Sequence, residues 1–229
     1  MSKAKQFWEF AIRSMRRRLG IEITGRLFLA NPVKSIQGSL KYRHYLSKKA
    51  LPKVSLEKIF LSRPLFIGAY CQKPPDCPTR RFSHQCLFAE SLTTHCSCKD
   101  CELKQMAELA MTLKCPFYIM TTALDVLLDV FLREKFPFFL VMICNYAKEF
   151  FILPALVFDM KGYFLSLGKG GCRNYQEFLS ADKGHKPNQT FLSPIAHRTF
   201  MKLRNQIMIN PSHYQKFILK ENFYIPPDS

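Results

Sequence analysis

Apolar positions recur along the chain with two different periods, and the change from one to the other predicts its elements. Residues 4–19 read as one amphipathic helix, with Trp8, Ala11, Ile12, Met15 and Leu19 on one face and Arg13, Arg16 and Arg17 opposite. Residues 20–63 are mixed and basic, with breaks at Pro32 and Pro52. Leu65–Ala69 predicts a short strand that runs into Tyr70-Cys71. Further on, Leu103, Met106, Ala107, Ala110 and Leu113 mark a helix, Phe117–Met120 a strand, and Leu124, Leu127, Leu128 and Phe131 another helix. Phe138–Ile143 is continuously apolar, the pattern of a parallel strand buried on both faces. A short helix at 146–152, a strand at 155–158 and a further strand at 164–167 are expected to follow. Residues 182–190 read as a polar loop and 195–208 as a helix, before a loose Pro-Pro-Asp-Ser end.

Helices alternating with buried strands predict an α/β fold, a mostly parallel sheet with flanking helices. The expected organisation has three parts. Residues 1–63 form a basic helical N-terminal extension, 64–180 a cysteine-rich α/β domain, and 181–229 a helical C-terminal tail.

Composition narrows the class. With 229 residues, 48% hydrophobic and 22% charged, the chain can bury a sizeable core and is not disordered throughout. No apolar run reaches the roughly 18–20 residues of a spanning helix. Residues 136–160 come nearest and are interrupted by Asn145, Lys148, Glu149 and Asp159, so a transmembrane protein is not expected. Charge is uneven: residues 1–63 hold fifteen Lys and Arg against three Asp and Glu, so +12 of the net +17 lies there. That asymmetry suits an anionic partner, either nucleic acid or a membrane surface, and equally a basic face that is merely solvated. Met1 to Gly20 has no clean apolar segment of the secretory type, so the expected compartment is reducing cytoplasm. Clustered cysteines there more often bind metal or do redox work than staple a fold.

Six of the nine cysteines lie within 71–101, a proline-containing stretch with little periodicity. A loop this long needs a constraint, and metal ligation would supply it. Cys98-x-x-Cys101 is a two-ligand knuckle, whose spacing lets both sulfurs reach one ion. Cys101 precedes a helix, and the positive end of that helix would favour a thiolate. Zinc and an iron–sulfur cluster each take four such ligands, and the spacing does not separate them. Cys144 ends the 138–143 strand, where ligands of open α/β sheets bind. Cys172 follows Gly168-Lys-Gly-Gly171, a turn able to form a small anion nest. His95 is a candidate ligand, Cys115 reads as structural, and Cys86 has no assigned role. His84, His185 and His197 read as surface residues, and Asp125 with Asp129 as a solvated helix face. No nucleophile elbow, zincin motif or Walker loop occurs.

The order of these motifs resembles a known family. An apolar strand enters Tyr70-Cys71-Gln-Lys-Pro-Pro-Asp-Cys77-Pro; Cys98-Lys-Asp-Cys101-Glu-Leu opens a helix; Cys144 ends a strand; and Gly171-Cys172-Arg-Asn174 follows. The layout is similar to the prokaryotic cysteine-rich domain-of-unknown-function family one hundred and sixteen, over roughly residues 55–178. The chain departs from that pattern at His95, which stands where the first cluster cysteine falls, at Lys99 in place of a glycine, and at Thr121-Thr122-Ala123. The resemblance implies the α/β fold and a metal-binding role, and it implies that Cys144 belongs with the upstream cluster. Together with the spacing, it makes Cys71, Cys77, Cys98 and Cys101 the principal ligands, Cys96 or His95 a reserve, and Cys144 and Cys172 candidates for a second centre. The expected function is a metal-binding protein with a cysteine-ligated iron–sulfur cluster or Zn2+, in a redox or accessory role. Two alternatives stand beside it: a zinc-stabilised nucleic-acid-binding module that uses the basic N-terminus, and a Cys-dependent enzyme with Cys144 as nucleophile.

Overall fold

A computed structural model describes residues 2–46, 48–51, 54–133, 135–207 and 214–227. Pro52, Met208 and the final Asp228-Ser229 lie outside these, as do the side chains of Arg13 and Met15. The N-terminal region is helical, as α1 (Lys3–Met15), α2 (Arg18–Ala30) and α3 (Pro32–Tyr45). The single helix expected over 4–19 is broken after Met15, where Arg17 turns to an extended conformation as the α2 N-cap. Close packing at Gly20 holds that elbow, because a Cβ there would sit 2.1 Å from the Ser14 carbonyl oxygen. Pro32 does not break a helix but begins one, at a position where its missing N–H costs nothing. On α1 the buried residues are Phe10 and Ala11, whereas Trp8 and Ile12, expected on the apolar face, are exposed.

The sheet has seven strands: β1 (Ala50–Leu51), β2 (Leu65–Ala69), β3 (Phe117–Met120), β4 (Phe138–Ile143), β5 (Lys161–Ser166), β6 (Ile218–Lys220) and β7 (Phe223–Ile225). Their order is β1-β5-β4-β2-β3-β7-β6. The central four, β5-β4-β2-β3, are mutually parallel, and β1 and β7 pair antiparallel at either side. β2, β3 and β4 are almost wholly buried, as continuous apolar runs require. The connecting helices are α4 (Leu56–Leu61), α5 (Leu87–Ser91), α6 (Glu102–Thr112), α7 (Ala123–Val126, continued by a π-helical turn over Leu127–Phe131) and α8 (Asn145–Val157). α9 (Tyr175–Asp182) and α10 (Pro194–Gln206) follow β5. α3 packs on α8, and the Tyr42 hydroxyl donates to the Glu149 carbonyl at 3.0 Å, tying the N-terminal helices to the sheet layer.

Two expectations change. The strand expected at 155–158 is the last turn of α8, which runs through Pro154 and closes where the Phe158 N–H donates to the Pro154 carbonyl at 3.0 Å. The tail is helical only as far as Gln206; β6 and β7 then form a hairpin whose two-residue turn, Glu221-Asn222, takes φ of 50° and 69°. Positive φ at both turn positions matches the right-handed twist of the flanking strands.

Candidate metal centre

The chain goes from β2 to its neighbour β3, then crosses to β4 on the far side of β2. Loops after β2 and β4 therefore diverge, which opens a crevice at their carboxyl ends, the usual ligand site of such sheets. Cys71 follows β2 in a 3-10 turn (Tyr70–Gln72), and Cys144 follows β4 as the N-cap of α8. Cys172, beyond β5, reaches the same place. All three line one apolar cavity of about 70 Å³, room for several water-sized groups, whose walls include Phe131, Phe150 and Phe178. Thr190, Asp182 and Thr121 supply its polar margin.

The loop turn that carries Cys172 is built by glycine. Gly170 has φ of 75°, and a Cβ there would meet the Gln189 carbonyl oxygen at 2.0 Å. Thr190 Oγ1 donates to the Gly170 carbonyl at 3.0 Å, and the Gly168 N–H donates to the Phe191 carbonyl at 2.7 Å. The turn is thus tied to residues 189–191 rather than left open as an anion nest.

A second group of thiols lies beside the first. Cys77, Cys86, Cys98 and Cys101 are close enough that a charge on Cys77 raises the pKa of Cys86, and a charge on Cys86 or Cys98 that of Cys101. The Cys98–Cys101 knuckle closes as a turn, with the Cys101 N–H on the Cys98 carbonyl at 3.3 Å. Cys71 couples instead to Cys172, and Cys144 to both. Coupling to Cys77 and Cys101 brings Cys86 into that group, and Arg81 lies within electrostatic reach of both Cys71 and Cys77. Cys96 is exposed, its Sγ only 3.6 Å from the Nδ1 of its own neighbour His95. Among the described residues no three His, Cys, Asp or Glu side chains stand together at ligating geometry. The sulfurs are neighbours, not a closed cage.

Burial governs their ionisation. It pushes Cys71 and Cys86 up to about 11 and Cys101 and Cys144 up to about 12. At Cys101 this outweighs the N–H groups of Lys104 and Leu103 at the start of α6, so the helix end does not produce the expected thiolate. At Cys144 it outweighs the Ala147 N–H, which reaches Sγ at 3.4 Å. Cys115 is fully buried and likewise raised to about 12, in keeping with a structural residue.

Lys73 sits in the midst of the four-thiol group and is only 2% exposed. Its Nζ donates to the carbonyls of Arg80, Ser83 and Gln85 at 3.1, 2.8 and 2.6 Å, and to Ser83 Oγ at 2.9 Å. Three carbonyls can only accept, so they call for the three N–H bonds of an ammonium. No carboxylate pairs with it among the described residues. Burial lowers its pKa, while charge on Cys77, Cys86, Cys101 or Glu90 raises it. Arg81 completes the loop: Nε donates to the Lys73 carbonyl, Nη1 to those of Lys186 and Pro187, and Nη2 to those of Cys71 and Asn188.

Sequence reasoning missed Lys73, Arg81, Cys86 and Glu102. Glu102, buried at the start of α6, accepts from the Leu192 N–H with both oxygens and from Gln72 Nε2 at 3.0 Å. His84, expected at the surface, is part-buried and its Nδ1 bonds the Ile119 carbonyl at 2.7 Å, whereas His185 and His197 are exposed as expected, His197 lying 3.5 Å from Glu102. Asp129 is buried and accepts from Tyr118 and Asn222 rather than facing solvent.

Compared with models of protein families, with curated proteins and with solved structures, the chain matches none.

Proposed function

We propose that this is a cytoplasmic metal-binding protein in which Cys77, Cys86, Cys98 and Cys101 hold one thiolate-ligated centre and Cys71, Cys144 and Cys172 contribute to a second. The observation that supports this best is Lys73. A buried ammonium whose hydrogen bonds all go to neutral acceptors is costly, and the carboxylate within electrostatic reach, Glu90, weighs less on it than the thiols do. Four thiolates on a zinc ion or an iron–sulfur cluster carry net negative charge, and three of the four cysteines lie within electrostatic reach of Nζ. A bound metal would also deprotonate thiols that burial otherwise keeps neutral. Zinc would cross-link the 71–101 loop, and a cluster would add electron transfer, the redox or accessory role. The family resemblance of the cysteine order supports a metal-binding role, while grouping Cys71 with Cys77, Cys98 and Cys101. Cys144 as a free nucleophile gains no such support, since a thiol raised to about 12 is protonated at neutral pH.

Alkylation followed by mass spectrometry tests the grouping. In protein purified without oxygen, Cys96 should react at once and Cys115 only on unfolding. Cys77, Cys86, Cys98 and Cys101 should become reactive together when a chelator removes metal, and Cys71, Cys144 and Cys172 together as a second set. Reactivity that a chelator leaves unchanged at all seven would overturn the proposal.

A further inference from the structure

The N-terminal helices leave a run of large apolar side chains in solvent, on the sides turned away from their buried residues. On α1, Trp8 and Ile12 are one turn apart and 67% and 54% exposed, while Phe10 and Ala11 face inward. On α2, Ile21 and Leu29 are two turns apart, Leu29 at 87%, opposite buried Ile23 and Leu27. On α3, Val33 and Ile36 are exposed opposite buried Ser35, Ser39 and Tyr42. Scattered surface apolar residues are ordinary. Stripes of this kind repeated on three consecutive, mutually packed helices are not.

The polar residues around these stripes are cationic. Lys3, Lys5, Arg16, Arg18, Arg26, Lys34 and Lys41 are all exposed on the same three helices. The acids of this segment, Glu9 and Glu22, are already paired with Arg43 and Arg26. An exposed tryptophan with aliphatic neighbours inside a basic rim is the composition of a helical surface that lies in the headgroup region of an anionic membrane. Nucleic acid would meet the charge but not the aliphatic stripes. A second copy of the chain would meet the stripes but bring its own positive charge.

We infer that α1–α3 form a docking face for an anionic lipid bilayer, with Trp8, Ile12, Ile21, Leu29, Val33 and Ile36 entering the interface and the surrounding Lys and Arg meeting the headgroups. No helix among the described residues is long and apolar enough to cross a membrane, so the chain lies on the surface. No cysteine lies on α1–α3.

Trp8 is the sole tryptophan of the chain, so its fluorescence reports directly on the face. The full-length, metal-replete protein is mixed with vesicles of equal parts phosphatidylcholine and phosphatidylglycerol, and with pure phosphatidylcholine. Expected are a blue shift of Trp8 emission and co-sedimentation with the anionic vesicles, both weakened by salt. A Leu29→Asp/Val33→Asp variant, altered only at exposed positions, should bind at least about tenfold more weakly while its circular dichroism is unchanged. Unshifted emission, equal binding to neutral vesicles, or undiminished binding by the variant would overturn the inference. So would RNA capture by the chain without vesicle binding, or self-association that the double variant abolishes while vesicles are ignored.

Discussion

Lys73 and Arg81 are the residues that give the 71–101 loop its shape, and neither is distinguishable in sequence from the other basic residues of the chain. No spacing rule says that a lysine two positions after Cys71 is buried, because its burial is decided by carbonyls contributed by residues 80–85. Arg81 engages five carbonyls, two of its bonds reaching Pro187 and Cys71 at 3.0 and 3.2 Å. Replacing Arg81 by Met should therefore destabilise the fold by roughly 1–3 kcal/mol, read as a lower urea midpoint, since it removes charge-assisted bonds to five part-buried or exposed carbonyls. Lys73→Met makes a different statement. If Nζ balances a thiolate centre, the variant should bind metal about 10- to 100-fold more weakly in competition with a chromogenic chelator. Unchanged affinity would leave Lys73 as a loop staple only.

Among the elements, those with strong periodicity were legible. β2, β3 and β4 lie where their apolar runs end, and α6 begins at the residue after Cys101. Misreadings occurred where tertiary packing overrode a local signal. The helix expected at 146–152 runs on through Pro154 to Val157, over residues where a strand was expected. The β6–β7 hairpin has three-residue strands, too short for alternation to show, and its partner β3 is remote in sequence. Of the candidate site, Cys144 was legible because a residue after a buried parallel strand must stand at the carboxyl edge. Its pairing with Cys172 was expected, but the addition of Cys71 was not, since that follows from strand order. The turn before Cys172 provides an element-scale test. Gly170→Ala forces a side chain into positive φ against the Gln189 carbonyl and should cost about 1–3 kcal/mol in thermal or urea unfolding. Its metal deficit should fall on the Cys71, Cys144 and Cys172 set and spare the other. Cys144→Ser, by contrast, keeps a good N-cap for α8 and should leave stability within about 1 kcal/mol while removing a ligand.

At the scale of the whole molecule, the buried thiols link stability to pH. Cys71, Cys86, Cys101, Cys115 and Cys144 have folded values of about 11 to 12 against an unfolded value near 8.5. A folded acid whose pKa is raised keeps its proton longer than the unfolded chain does. Its contribution is therefore complete below pH about 8.5 and is lost as pH rises toward the folded value. Metal-free protein should accordingly lose stability steeply above pH about 8.5, read from urea midpoints. In the metal-loaded protein the ligand thiols have already released their protons, so the fall should be shallower, with Cys115 still contributing. Metal affinity should rise with pH over the neutral range for the same reason. The most direct test is the metal content and absorbance spectrum of the full chain purified without oxygen, beside Cys98→Ser/Cys101→Ser. A thiolate centre predicts stoichiometric zinc, or iron with labile sulfide and a brown colour. The variant should lose the metal of the four-cysteine centre, leaving residues 71–101 open to protease. Metal-free protein whose 71–101 segment still resists protease would contradict it.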